Sequence, residues 1–282
     1  MKKILKTIFL CVSLPVFSLS AENLTQYVNP MIGTDGYGNV YPGAQIPFGG
    51  IQISPDTDAK FYDAAAGYKY NHTSILGFSL THLSGTGIPD LGDFLFIPGT
   101  GEMKLDPGTR ENPTEGYRSR YSHDREWASP NYYAVELSDY GVKAEMTAGL
   151  RSGMFRFTYP KSEQAFIMID MNHTLWQSCE WSNLRMENDS TLTGYKLVKG
   201  WGPERHVYFT AVFSKKLKNL LLEILATDVM SDIFTSCMFF SVKTALMFSM
   251  DFRTRFAFFI SLFVIRKLPP VKVRPYTNLL IG

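Results

Sequence analysis

Tyrosines, carboxylates and histidines crowd into one stretch of the chain: Asp56, Asp58, Tyr62, Asp63, Tyr68, Tyr70, His72, His82, Ser84, Asp90 and Asp93. Together they suit a saccharide, whose C–H face packs on an aromatic ring while its hydroxyls donate to carboxylates. Thr81-His82-Leu83-Ser84-Gly85-Thr86-Gly87-Ile88-Pro89-Asp90 reads as a loop, because Gly85 and Gly87 permit positive φ and Pro89 restricts the residue before it. Such a loop can present His82, Ser84 and Asp90 at the edge of a rigid sheet. The same residues also have a plain reading. An Asp in a Gly-rich turn commonly hydrogen-bonds its own backbone, and a histidine between Leu80 and Leu83 commonly serves the core. Hydrolysis of a glycoside needs two carboxyls ~5–10 Å apart, one of them desolvated enough to carry a proton. No carboxylate here stands alone in apolar surroundings. Gly33-Thr34-Asp35-Gly36-Tyr37-Gly38 is glycine-rich but lacks the strand-to-helix setting and the lysine of a phosphate loop. Ser84-Gly85-Thr86-Gly87 lacks the order of a nucleophile elbow.

The elements that must hold these residues are strands. Tyr132 to Leu137 alternates, Ser138-Asp139-Tyr140-Gly141 turns, and Val142 to Thr147 alternates back, with Val135, Leu137, Val142, Ala144 and Met146 on the apolar faces. That pattern predicts a hairpin. Met154 to Tyr159 keeps the period, Ala165 to Met171 is a nearly continuous apolar strand, and Thr191 to Val198 and His206 to Phe213 follow. No stretch between Glu22 and Asn219 sustains a helical period. The expected fold class is all-β, two packed antiparallel sheets.

Both ends differ from this middle. Lys2, Lys3 and Lys6 precede the apolar run Ile8 to Phe17, and small residues around Ser18 to Ala21 offer a cleavage site, so residues 1–21 read as an export signal. About ten apolar residues are too few to span a bilayer. A soluble protein released to the periplasm or the medium is expected. Net charge is +2, which argues for neither nucleic acid nor an anionic membrane as partner. The two cysteines beyond the signal, Cys179 and Cys237, make no disulfide framework or zinc pattern. From residue 220 the composition changes. Of 22 glycines only Gly282 lies there, no tryptophan does, and nine of the 21 phenylalanines do. Loss of turn residues ends the sandwich punctuation, and the segment 220–282 is expected to pack as no domain of its own.

Asn29-Pro30-Met31-Ile32-Gly33-Thr34, Tyr41-Pro42-Gly43-Ala44-Gln45-Ile46-Pro47-Phe48-Gly49, Ser54-Pro55-Asp56-Thr57, Gly67-Tyr68-Lys69-Tyr70, Gly77 to Gly87 and Asp90-Leu91-Gly92-Asp93 resemble glycoside hydrolase family 92 in order and spacing, over roughly residues 27–218. The resemblance implies an exported, calcium-dependent exo-α-mannosidase that trims glycans with inversion. It also implies an N-terminal β-sandwich of the galactose-mutarotase-like supersandwich type, followed by a helical (α/α)6 domain that supplies the acid, the base and most calcium ligands. Tyr62-Asp63 matches a position that is often Trp-Asp and lies by the leaving-group sugar, and His82 to Asp93 matches the loop at the domain junction. The implied partners are a mannose-containing glycan, through Tyr62, Asp63, His82, Ser84 and Asp90, and the helical catalytic domain. The implied organisation is signal (1–21), family sandwich (22–219) and a tail (220–282) that resembles nothing in the family, as a shifted frame or a truncated gene would leave. No catalytic residue, metal ligand or calcium site is then expected in this chain, and the chain alone is expected to be inactive. A fragment that binds no sugar and has only a structural or interaction role is the competing expectation.

Overall fold

The computed structural model describes residues 23–59, 64–217, 219–226, 242–252 and 256–265. The expected export segment, Tyr62 and Asp63 lie outside them. Among the described residues the chain is strands joined by loops and short 3-10 turns. The first sheet holds β1 (Ser54–Asp56), β3 (Gly77–Ser79), β4 (Leu95–Thr100), β10 (Ser162–Asp170), β15 (Val242–Phe252) and β14 (Asn219–Ala226), in the order β1-β3-β4-β10-β15-β14. The second holds β6 (Glu126–Ser129), β7 (Tyr132–Leu137), β8 (Val142–Ala148), β9 (Ser152–Thr158), β11 (Ser178–Asn188), β12 (Thr191–Lys199), β13 (Arg205–Phe213) and β16 (Phe256–Ile265), in the order β11-β12-β13-β16-β9-β8-β7-β6. A short pair, β2 (Ser74–Ile75) and β5 (Ser119–Arg120), stands apart. Every pairing among the described residues is antiparallel.

Alternation explains the layering. In β9 Gly153, Phe155 and Phe157 are buried while Met154 and Arg156 are exposed, and in β13 Val207, Phe209, Ala211 and Phe213 are buried. These inward residues meet Phe78, Phe96, Ile167 and Ile169 of the first sheet in one core. Phe96 sits 5.6 Å from Phe155 and 6.0 Å from Phe209, ring centre to ring centre, in the tilted and edge-on arrangements that aromatic quadrupoles favour. The first sheet is covered on its other face too, where Leu76, Leu95, Ile97, Phe166 and Met168 pack with Tyr117. That double coverage is why Ala165 to Met171 reads as a continuous apolar run. The all-β sandwich is therefore the observed fold, and the hairpin falls where the alternation put it, with Leu137 opposite Val142 and Gly141 at φ 62° closing the turn.

Beyond residue 218, three strands of the segment expected to form no domain of its own join the two sheets of the sandwich. β14 and β15 extend the first sheet past β10, and β16 lies between β13 and β9, eight residues of it paired with β13 and six with β9. The reason is physical. A ten-residue run rich in Phe, Ile, Leu and Val has strand propensity, and a strand inside a sheet needs neither turn residues nor strict alternation. These strands form no domain of their own; they belong to the sandwich's sheets.

Candidate functional site

The segment Ser79 to Phe94 leaves β3, loops out and returns to β4, and it is anchored by a chain of buried polar contacts. Asp56, at the end of β1 and fully buried, accepts from two histidines: His82 Nε2 lies 2.7 Å from Oδ1 and His173 Nε2 lies 2.6 Å from Oδ2. His82 Nδ1 faces the carbonyl oxygen of Gln52 at 2.8 Å, so both ring nitrogens of His82 meet acceptors. Burial alone pushes the Asp56 carboxyl up, and the two histidines outweigh it and hold it well below the ordinary carboxylate range. Gly67, at φ 85°, packs directly on this carboxylate: a Cβ there would stand 2.1 Å from Asp56 Oδ1.

The second anchor is Asp93. Thr81 Oγ1 donates to its Oδ2 at 2.7 Å, and Arg205 Nη1 donates to the same oxygen. Lys196 Nζ stands 3.1 Å from Oδ1 as an ion pair without hydrogen-bond alignment, and donates to His173 O at 2.6 Å. Burial raises the Asp93 carboxyl, and Lys196 and Arg205 overcome that and hold it at about 2. Lys196 is itself fully buried, on the inward face of β12 between Gly194 and Val198. His173 thus joins the two anchors through its ring on Asp56 and its carbonyl on Lys196.

Between the anchors the backbone is strained. Leu91 (φ 75°), Gly92 (φ 73°) and Phe94 (φ 58°) occupy the left-handed region, two of them bulky residues that adopt it only when their surroundings compel it. Asp90 closes the turn: its Oδ1 accepts from Leu91 N at 2.6 Å and its Oδ2 from Trp201 N at 2.9 Å. Leu175 N donates to Leu91 O at 2.9 Å, and Gln177 Nε2 to Pro89 O at 3.1 Å. Three loops therefore converge at Asp90, around residues 84–93, 172–177 and 200–204. Their outward residues include three large apolar ones, Trp176 (54% exposed, φ 74°), Trp201 (57%) and Ile88 (46%), beside the exposed Ser84 and Glu204. Gln177 Oε1 and Arg205 Nη2 are buried there without a hydrogen-bond partner. A rim of exposed rings over acceptors and donors can hold a polyhydroxylated ring by stacking and edge hydrogen bonds.

Another buried carboxylate, Glu126, accepts from Tyr68 OH at 2.9 Å and Tyr133 OH at 2.5 Å, and His123 Nδ1 lies 2.6 Å from it. Tyr70 stacks on His123 at 3.9 Å with an interplanar angle of 3°. Burial, the largest cause, and the Glu126 charge both push the Tyr68 and Tyr133 hydroxyls far up, so they remain donors. Among the described residues, wherever a carboxyl departs clearly from its ordinary range (Asp56, Asp93, Glu111, Asp139, Glu145, Glu180) it is held down, the reverse of what a general acid needs.

Comparison with known proteins decides what this scaffold is. The sequence profile of the Glycosyl hydrolase family 92 N-terminal domain matches residues 27–227. The chain belongs to glycosyl hydrolase family 92. Its fold is similar to that of the family GH92 α-mannosidase BT3965 from Bacteroides thetaiotaomicron, with a TM-score of 0.79 and 71% identity, covering 86% of this chain and 33% of that one. The inverting GH92 mannosidase BT2199 from Bacteroides thetaiotaomicron VPI-5482 shares the fold at TM-score 0.65 and 22% identity, over 84% of this chain and 31% of its own. An uncharacterized secreted glycosidase of Arthroderma benhamiae is 30% identical over 139 residues, 49% of this chain and 18% of its own. The chain thus spans about a third of the solved family 92 enzymes it matches.

Within the family 92 frame the sequence-derived residues fall in three places. His82 is buried in the Asp56 network, and Asp90 is buried at the centre of the rim. Ser84 is exposed on the loop between them. Tyr62 and Asp63 lie outside the described residues. The calcium that the family resemblance implies does not fit the carboxylates seen here. Asp56 and Asp93 are ringed by N–H and O–H donors, Asp90 is turned onto backbone amides, and no group of three or more His, Cys, Asp or Glu among the described residues could hold a metal ion. Sequence reasoning passed over His173, Lys196, Arg205, Trp176 and Trp201. One of these had a local signal: Lys196 sits on the apolar face of an alternating strand, where a charge implies a buried partner. No helix among the described residues is long and apolar enough to cross a membrane, and Cys179 is free and partly buried.

Proposed function

We propose that this chain is the sugar-facing sandwich of a family 92 α-mannosidase, and that the rim around Asp90, together with Tyr62, Asp63 and Ser84, contacts a mannose-containing glycan. The observation that carries the reading is the 71% identity to an α-mannosidase over 86% of the chain. In this reading His82 acts as a positioning residue: its ring ties the loop to Asp56 while the loop's exposed residues meet the sugar. The acid, the base and the calcium site belong to the helical part of such an enzyme. Export to the periplasm or the medium is supported by Lys2, Lys3, Lys6 and the apolar stretch behind them, and by the secreted relative. A second reading, a structural role without sugar contact, is favoured by the internal use of His82 and Asp90, and one experiment separates the two. Titration of the full chain with methyl α-mannoside, followed by NMR line shape, is expected to give a millimolar dissociation constant, about −4 kcal/mol. Tyr62→Ala should weaken it, with circular dichroism unchanged. A response that does not saturate, or one that Tyr62→Ala leaves as it was, overturns the sugar reading.

A further inference from the structure

The outer face of β11, β12 and β13 carries rings that the core does not use. Alternation turns Leu192, Gly194, Lys196 and Val198 of β12 inward and Thr193, Tyr195 and Leu197 outward. In the register Asn183 stands opposite Tyr195, and Tyr195 opposite Tyr208. Trp181, two residues before Asn183 on the same face, brings its ring to 5.1 Å from Tyr195, and Tyr195 lies 4.6 Å from Tyr208. The Tyr195 hydroxyl is 2.7 Å from His206 Nδ1, which fixes the middle ring of the row. Trp181 remains 49% exposed and Tyr208 37%.

Cross-strand aromatic pairs stabilise a sheet, and that accounts for the contacts between the rings. It does not account for a half-exposed tryptophan on β11, the edge strand, where an open apolar surface invites association. The surroundings narrow what such a surface would meet. Around the three rings stand Asn183, Thr193 and Thr210 together with Leu197 and Val212, and the register sets Phe263 of β16 opposite Tyr208. The nearby charges are already paired, Glu180 with Lys199 and Arg185 with Glu187. A nucleic acid would be met by unpaired positive charge. Ring faces alternating with amide and hydroxyl groups match a ligand that has both C–H faces and hydroxyls, namely a saccharide chain. The strand that carries the middle ring also leads toward the rim. Trp201, whose amide is held by Asp90, lies in the turn between β12 and β13, and Lys199 at the start of that turn is about 13 Å along the strand from Tyr195.

We propose that Trp181, Tyr195 and Tyr208 form an outer saccharide track that receives the part of a glycan running on from the Asp90 rim. The inference rests on the sugar reading above for the class of ligand, and on the ring geometry alone for the place. The test titrates the full chain with a linear α-linked manno-oligosaccharide and, in parallel, with methyl α-mannoside, read by tryptophan fluorescence and calorimetry. The oligosaccharide is expected to bind more tightly than the monosaccharide. Trp181→Ala and Tyr208→Ala should each lower oligosaccharide affinity about tenfold, leave monosaccharide affinity as it was, and be rescued by Trp181→Phe and Tyr208→Phe. Tyr62→Ala should weaken both ligands. Oligosaccharide binding that is indifferent to Trp181→Ala and Tyr208→Ala overturns the track while leaving the rim standing. Oligosaccharide binding that persists and needs Trp181, with no monosaccharide response, overturns the rim and leaves the track. A sedimentation change in Trp181→Ala without any change in sugar binding shows the face to be an interface between copies, and the track is then wrong.

Discussion

At the scale of single residues, the loop that carries the candidate site is held by two carboxylates kept ionised against burial. For Asp93 the sign is definite. A carboxyl held at about 2 in the folded chain, against ~3.9 unfolded, contributes stability that is complete above the unfolded value and is lost as the pH falls toward 2. The contribution is on the order of 2 kcal/mol, and it needs no discount for solvent because Asp93 is fully buried. The chain is therefore expected to lose stability steeply between about pH 4 and pH 2 in urea titrations, and Asp93→Asn to lower stability at pH 7 and flatten that acid slope. An Asp93→Asn variant with the wild-type slope would show that another carboxylate governs acid unfolding. The residue types at this site were legible: His82 and Asp90 stood out as polar groups in a Gly-rich loop. Their partners were not. His173 lies 117 residues from Asp56, and Arg205 lies 112 from Asp93, and a separation of that kind leaves no local pattern.

At the scale of elements, what could be read was whatever alternated over a buried face. β7, β8, β12 and β13 fall within a residue or two of the runs that announce them, because each has one wet and one dry side. β11 was not foreseen: it is an edge strand exposed along most of its length, with a bulge between Cys179 and Trp181, and only Leu184 and Met186 give it a short inner side to read. β14, β15 and β16 were passed over for the opposite reason, as apolar runs without turns. Packing between facing strands supplies a test of register. A Cβ at Gly194 would stand 1.9 Å from Phe209 Cε1, inside the core beside Phe94 and Phe96. Gly194→Val is therefore expected to force the Phe209 ring off its rotamer and destabilise the chain by about 1–3 kcal/mol. Gly202→Val, in open space on the turn between β12 and β13, should shift the thermal midpoint far less. Equal midpoints for the two variants would mean that β12 and β13 are not paired in the register seen.

At the scale of the whole molecule, the two sheets close only through strands from beyond residue 240. Without β16 the second sheet divides into β11-β12-β13 on one side and β9-β8-β7-β6 on the other, each with a newly opened edge. Without β15 the apolar strand β10 keeps β4 as its one neighbour and β14 has no strand to pair with. The residues left at those edges are among the most apolar in the chain: Phe155, Phe157, Phe209 and Phe213 on β9 and β13, and Phe166 to Ile169 on β10. An opened edge with unpaired N–H and C=O groups beside such residues is a template for association. A chain ending at residue 241 is therefore expected to lose its single cooperative melt and to elute as soluble aggregate, whereas the full chain melts as one unit. Limited proteolysis checks the same point from the other direction: Phe256 to Ile265 should survive as long as Ser152 to Thr158, the strand it pairs with. Early cleavage at residues 256–265, leaving a stable core that ends near Leu217 and still melts cooperatively, would show that the sandwich closes without these strands. The aromatic row on β11 to β13 would then stand at the end of a three-stranded flap.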